Sequence, residues 1–230
     1  MSNPIMQKEI KSDASNILVV KEDFKFFEEF KSVEQIYSAG IKEIKTKLEI
    51  LDDEFHIRYA HNPIHHMEWR LKSPHSIFDK LERKNLPLNL DSITDHIYDI
   101  AGIRVICNYV KDIYRIADLL TSQDDITLIR IKDYIKHPKE NGYRSLHLVV
   151  EVPVFLAQET QMVPVEIQIR TIAMDFWASL EHQIRYKNEE EVPSDIRKRL
   201  LECAESITEL DQEMQDIHNK IKGKQNLELK

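Results

Sequence analysis

The segment KHPKENGYRSLH, residues 136 to 147, gathers Lys136, Lys139 and Arg144 with Asn141 and His147 around one Gly-Tyr step, in a chain that has only four glycines. Cations and amides suit phosphate and ribose oxygens, and the Tyr143 ring offers a face on which a base can stack. A second basic group lies upstream. Arg70 and Lys72 precede Ser73-Pro74, which reads as an N-cap with proline at the first helical position. In the helix that follows, Ile77, Phe78 and Leu81 form the buried stripe, while Ser76, Lys80 and Arg83 recur at four- and three-residue steps on another side. With the free amides and dipole of the helix start, these groups outline a cradle for a polyphosphate. Taken alone, such a helix face is usually just solvated. Asp99, two residues before Ala101-Gly102, and Glu166, amid apolar neighbours, are carboxylates among many cations. That composition suits Mg²⁺, which takes a few hard oxygen ligands and completes its shell with water and substrate phosphates. Spacing alone also allows Asp99 to cap a turn and Glu166 to pair with an arginine. The small residues after Asp99 suggest a close backbone approach.

These residues need a scaffold, and the periodicities supply one. From Asp23 to about Tyr59, Phe27, Phe30, Tyr37, Ile41, Ile44, Leu48, Leu51 and Phe55 recur at helical spacing. Ile196, Leu200, Cys203, Ile207, Leu210, Met214, Ile217 and Ile221 alternate steps of four and three, a heptad seam that serves an oligomer interface or packing against the central domain. Between the two helices, strands are predicted at residues 66 to 72, 101 to 110, 125 to 134, 144 to 154 and 161 to 170, the last two as a hairpin. Helices follow at 111 to 122 and from a Thr171 cap. The order predicts an α+β domain with a mixed sheet of about five strands, flanked by helices. Along the hairpin, Leu146, Leu148, Val150, Val152, Val165, Ile167 and Ile169 share the core side. Ser145, His147, Val149, Glu151, Glu166, Gln168 and Arg170 fall opposite. The division is an N-terminal tail at 1–22, a helix at 23–60, a core at 61–190, a helix at 194–222 and a tail at 223–230.

With 42% hydrophobic and 31% charged residues, the 230-residue chain has a globular composition. A formal charge of −8 disfavours a surface that tracks a nucleic-acid backbone. No apolar stretch approaches the length of a membrane span, and the first residues lack a secretory pattern, so a cytoplasmic protein is expected. Cys107 and Cys203 suggest neither a disulfide framework nor a zinc ribbon.

D-I-A-G-I-R-V (99 to 105), N-G-Y-R-S-L-H (141 to 147) and V-E-I-Q-I-R-T (165 to 171), preceded by R-L-K-S-P-H-S-I-F-D-K (70 to 80), resemble the synthetase domain of the RelA/SpoT alarmone enzymes. The resemblance covers about residues 60 to 190 and is similar to a small alarmone synthetase, of the RelP rather than the RelQ type. It implies transfer of the β,γ-pyrophosphate of ATP to the 3′-hydroxyl of GDP or GTP. By that resemblance Arg70 and Arg104 sandwich adenine, and Lys72, Ser76, Lys80 and Arg83 grip the ATP phosphates. Asp99 and Glu166 are the catalytic pair that holds Mg²⁺, with Glu166 also the general base. Tyr143 stacks on the acceptor guanine, while Lys136, Lys139, Asn141, Arg144, His147 and Gln168 complete the GDP or GTP site. R-I-K-D (130 to 133) matches the basic form of a motif that, by the resemblance, bears on metal use and acceptor preference. A homotetramer is implied, as is synthesis without hydrolysis, since no hydrolase motif is seen.

Other readings compete. His56, His61, His65, His66 and His75 invite a metal site, but no carboxylate or thiolate spacing supports one, and solvated loop histidines fit better. Phe176, Trp177 and Leu180 read as core, with His182 and Arg185 one turn on and within reach of a nucleotide. A non-catalytic nucleotide or RNA-binding module would not need both carboxylates and the phosphate stripe. An AMP-transferring enzyme would release pyrophosphate rather than AMP.

Overall fold

The protein is represented by a computed structural model that describes the backbone of residues 4–187 and 192–228 and the side chains of residues 30–184 and 192–221. Helix α1 (Pro4–Arg58) is followed by β1 (Ile64–Leu71), α2 (Pro74–Arg83), α3 (Leu90–His96), β2 (Ala101–Cys107) and α4 (Val110–Thr121). Then come β3 (Thr127–Asp133), β4 (Leu146–Phe155), β5 (Thr160–Thr171), α5 (Ile172–Lys187) and α6 (Ser194–Glu228). The two terminal helices extend beyond the expected 23–60 and 194–222, into the segments expected as tails. Phe27 falls outside the described side chains. Helix α3 was not legible in the sequence, although Asn89 caps it by accepting from the Ser92 amide at 2.8 Å.

The sheet order is β1-β2-β5-β4-β3. β2 and β5 run parallel and the other neighbours antiparallel, so the sheet is mixed as expected. Alternation sorts the hairpin as predicted. Leu146, Leu148, Val150, Val152, Val165, Ile167 and Ile169 are all buried in one core. Phe30, Tyr37, Ile41, Ile44, Leu48 and Phe55 of α1 join that core, as do Ile113, Ile116 and Leu120 of α4. Gly40 lets α1 come close, since a β-carbon there would stand 2.7 Å from Val163 Cγ1. Gly102 differs from expectation. A β-carbon would meet the Arg70 carbonyl at an ordinary 3.6 Å, so no close approach requires glycine there.

Local caps set the starts of the helices beside the site. The Ser73 hydroxyl accepts from the Ser76 amide, and the Thr171 hydroxyl accepts from the Met174 amide at 3.1 Å. In α5, Trp177 is buried and donates to the Leu200 carbonyl at 2.9 Å. Phe176 and Leu180 are not core. They are 60% and 42% exposed, because only the Trp177-Ala178 side of α5 faces α6. The heptad seam of α6 divides as well. Leu200, Ala204 and Ile207 pack beside Trp177, and Asp211 and Gln215 are buried further along the same side. Leu210, Met214, Ile217 and Ile221 remain exposed.

Candidate active site

The pairing register assembles what the alternation of single strands could only sort. Glu68, Arg104, Gln168, His147 and Lys132 are successive cross-strand partners, one from each of the five strands. Beside that row run Arg70, Gly102, Glu166, Val149 and Arg130. Residues far apart in sequence are thereby brought onto one polar face, with Glu166 on the middle strand.

Three adjoining cavities open over this face. The largest, about 1020 Å³, is lined by Arg70, Arg104, Lys139, Asn141, Tyr143, His147, Gln168, Arg170 and His182, among others. A cavity of about 170 Å³ adds Glu68, Trp69, Lys72, Asp99 and Glu166. The third, about 320 Å³, is strongly basic, with Lys80, Lys84, His96, Arg130, Lys132 and Lys139 around Tyr98, Tyr134, Asp99 and Glu166. Asp99 and Glu166 border both smaller cavities and so stand at their junction.

At that junction, Asp99 Oδ2 lies 2.7 Å from Lys80 Nζ and 3.0 Å from Lys72 Nζ. Burial pushes the Asp99 carboxyl up, but hydrogen bonds and charge from the two lysines outweigh it and hold the pKa below the ordinary carboxylate value. Asp99 Oδ1 is buried with no hydrogen-bond partner. Burial likewise raises Glu166, and hydrogen-bond donation from His147 and Gln168 more than reverses this. The distances are 3.4 Å from His147 Nδ1 and 2.9 Å from Gln168 Nε2. An orphaned carboxylate oxygen beside a second carboxylate fits a hard cation whose remaining ligands come from phosphate and water. Among the described residues no group of three His, Cys, Asp or Glu side chains could hold a metal, and the histidine cluster is accordingly dispersed. His61 pairs with Asp112 at 2.8 Å, His75 with Asp79 at 2.9 Å, His56 lies near Asp52 and Asn62, and His65 contacts His66.

The loop between β3 and β4 is pinned from within. Asp133 Oδ1 accepts the Ile135 and Lys136 amides, both at 3.0 Å, and the Gly142 amide donates to the Lys139 carbonyl at 2.8 Å. Asn141 accepts the Tyr143 amide and donates to Glu181, tying the loop to α5. Lys139 Nζ lies 4.8 Å from the centroids of Tyr134 and Tyr143. Burial raises the Tyr143 pKa despite the opposing Arg170 charge, so the hydroxyl keeps its proton.

Most predicted site residues converge here, but four do not line these cavities. Arg144 turns away from the face, donating to Thr208 Oγ1 at 2.7 Å and the Ile135 carbonyl at 3.1 Å, and so holds α6. Lys136 points to Asp133 and Tyr114. Ser76 accepts from the Ser73 hydroxyl, and Arg83 donates to the Asp79 carbonyl. His182 reaches the large cavity, whereas the Arg185 side chain is outside the described residues. Sequence reasoning missed Lys84, His96, Tyr98, Tyr134 and Asp175 as site residues. Arg130 and Lys132 enter the sequence reading only through the basic R-I-K-D motif, and Arg170 only as a residue opposite the core. Alternation along 127–133 could have marked the first two, while nothing local marks Asp175.

Residues 69–191 match the family described as "Region found in RelA / SpoT proteins". The chain is 43% identical over 194 residues to GTP pyrophosphokinase YwaC of Bacillus subtilis (strain 168), which covers 84% of this chain and 92% of the relative. It is 37% identical over 189 residues to GTP pyrophosphokinase YjbM of the same organism, 82% and 88% of the two chains. The crystal structure of small alarmone synthetase 2 from Bacillus subtilis superposes with a TM-score of 0.76 at 43% identity, covering 83% of this chain and 98% of that one. Small alarmone synthetase 1 from that organism, bound to its product pppGpp, gives 0.75 at 38% identity, with 80% and 94% covered. Sequence match, sheet order and the clustering of the matched motifs on one face agree: the chain belongs to the RelA/SpoT family.

Proposed function

We propose that the protein transfers the β,γ-pyrophosphate of ATP to the ribose 3′-hydroxyl of GDP or GTP, giving ppGpp or pppGpp and AMP. The observation that carries this reading is the placing of Asp99 and Glu166 where the two smaller cavities meet, between the Arg70-Arg104 side and the Tyr143 loop. Relatives named GTP pyrophosphokinase and a neighbour bound to pppGpp support it.

In this reading adenine lies between the guanidinium planes of Arg70 and Arg104, whose flat, delocalised charge suits stacking as an ammonium does not. Lys72 and Lys80 hold the donor phosphates, without Ser76 and Arg83, which do not line the cavities. Tyr143 stacks on guanine, and the basic cavity with Lys84, Arg130, Lys132 and Lys139 receives the acceptor 5′-phosphates. Asp99 and Glu166 hold Mg²⁺, which when bound neutralises phosphate charge. Glu166 accepts the proton of the 3′-hydroxyl as its oxygen bonds to the β-phosphorus, the bond to the α-phosphate oxygen breaks, and AMP leaves. Catalysis is then chiefly positioning and charge neutralisation. The protein works in the cytoplasm as a homotetramer, and the exposed Leu210, Met214, Ile217 and Ile221 on α6 support a subunit contact. A native mass measurement on a chain truncated after Pro193 tests that assembly.

The deciding assay supplies γ-labelled ATP, Mg²⁺ and either GDP or GTP. Label moving to the guanine nucleotide with release of AMP, and its loss in Glu166→Gln, is the expected result. A folded protein that binds guanine nucleotide yet transfers no label under any metal condition would make the pocket a sensor and overturn the proposal.

A further inference from the structure

Arg170 is 4% exposed, yet it carries a charge and spreads it over several acceptors. One terminal nitrogen donates to the Tyr143 hydroxyl and to Gln168 Oε1, each at 2.7 Å. The other donates to Asp175 Oδ1 at 3.1 Å, and Nε donates to Ser145 Oγ at 3.4 Å. From this root two donor chains reach the same carboxylate. Along the first, the Tyr143 hydroxyl has one proton, and its oxygen already accepts from Arg170. With that proton given to His147 Nε2 at 2.8 Å, the imidazole carries its own proton on Nδ1, directed at Glu166 Oε1. Along the second, the Gln168 amide is oriented by Arg170 and donates to Glu166 Oε2. Both oxygens of Glu166 are thus aimed by one guanidinium.

Asp175 ties this network to the other substrate. The oxygen that receives Arg170 also lies 3.5 Å from Arg104, which borders the Arg70 side of the trough. Two guanidiniums share that one carboxylate oxygen, and without its charge they would repel each other. A ligand that draws on Arg104 alters what Asp175 offers to Arg170, and through Arg170 the poses of Tyr143 and Glu166.

We infer that Arg170 and Asp175 are positioning residues that couple occupation of the donor nucleotide site to organisation of the guanine-nucleotide site and of Glu166. The inference rests on the synthetase reading and deepens it. Neither residue was selected from the sequence as a site residue, and neither needs to touch the reacting atoms. Charged groups that share one hydrogen-bond network respond together, so the coupling is measurable as a mutual change of affinity.

The test measures binding of GDP by isothermal titration calorimetry with and without α,β-methylene ATP, which cannot be cleaved at the bond that the transfer breaks. In the native protein the analogue should tighten GDP binding about five-fold or more. Asp175→Asn, which keeps an acceptor oxygen but loses the charge, should reduce that factor to near one, and Asp175→Glu should restore part of it. Tyr143→Phe keeps the stacking ring and removes only the hydroxyl, so it remains informative if the Asp175 variant does not fold. It should bring the coupling factor down toward one, and kcat should fall on the order of ten-fold. Native protein that transfers label but shows no coupling, or an Asp175→Asn variant that retains it, or a Tyr143→Phe variant with native kcat, would overturn the inference and leave the synthetase reading intact. Native protein that transfers no label would remove both.

Discussion

Gly142 lies against Ala204 of α6 so closely that a β-carbon on the glycine would stand 2.5 Å from the alanine methyl carbon. The same glycine has φ of +89°, a conformation that L side chains rarely adopt. The β3–β4 loop is therefore shaped from outside by the C-terminal helix. Gly142→Ala should strain the backbone and push the loop off α6 together, with a loss of about 1–3 kcal/mol, or roughly 2–10 °C in Tm. Thermal unfolding measures the first effect. The KM for GDP or GTP, which should rise while that for ATP changes little, measures the second.

Asp99 shows a different dependence. Its Oδ2 is held by Lys72 and Lys80 while the buried Oδ1 faces no protein donor. Asp99→Asn should weaken Mg²⁺ binding and lower kcat on the order of a hundred-fold or more. A Mg²⁺ titration of the rate is the check. The variant should require more metal for half-maximal activity, and a native titration curve would exclude Asp99 as a ligand.

Carboxylates also set how stability varies with pH. Asp99, Asp133 and Glu166 have native pKa values below the ordinary range, because hydrogen bonds and nearby cations outweigh burial. Their contribution is fully present above the unfolded-state values of about 4 and is lost as pH falls through the lower native values. Tm should accordingly drop on acidification below about pH 4. Asp211 has the opposite sign. Burial raises its pKa despite donation from Thr171 at 2.7 Å and the Arg144 charge. Its ionisation destabilises the native state as pH rises. Asp211→Asn should raise Tm at pH 7 by roughly 2–4 °C for about 1 kcal/mol, and the gain should shrink toward acid pH.

Arg144 separates fold from site within one motif. It bonds to α6 and the β3–β4 loop rather than to the polar trough. Removing its two hydrogen bonds in Arg144→Ala should lower Tm by several degrees, of order 2 kcal/mol. The KM for GDP or GTP, the site in which the resemblance placed Arg144, should change little. Differential scanning calorimetry beside substrate titrations distinguishes this outcome from a direct loss of nucleotide contacts, in which KM would rise without a fall in Tm.

Much of this architecture is readable from sequence because its signals are local. Period-two alternation in 144–154 and 161–170 divides core from site, and Ser73 and Thr171 mark where helices begin. Register is not local. Nothing within 127–133 says that Lys132 will meet His147, or that Arg104 will lie between Glu68 and Gln168. Asp175 looks like any acidic residue in a first helical turn until Arg170 and Arg104 are brought to it. Phe176 failed as a core residue for the related reason that a hydrophobic side chain names no partner, and α6 covers only one side of α5.

Because β5 alternates Val165, Ile167 and Ile169 with Glu166, Gln168 and Arg170, the strand encodes its own proofreading. A slip by one residue would turn Glu166, Gln168 and Arg170 toward the apolar core and leave the three hydrophobic residues in the trough. The misregistered chain would bury unpaired charge at several kcal/mol as well as lose its chemistry. The alternation that aims Glu166 into the trough is thus also what penalises a register error at the centre of the sheet.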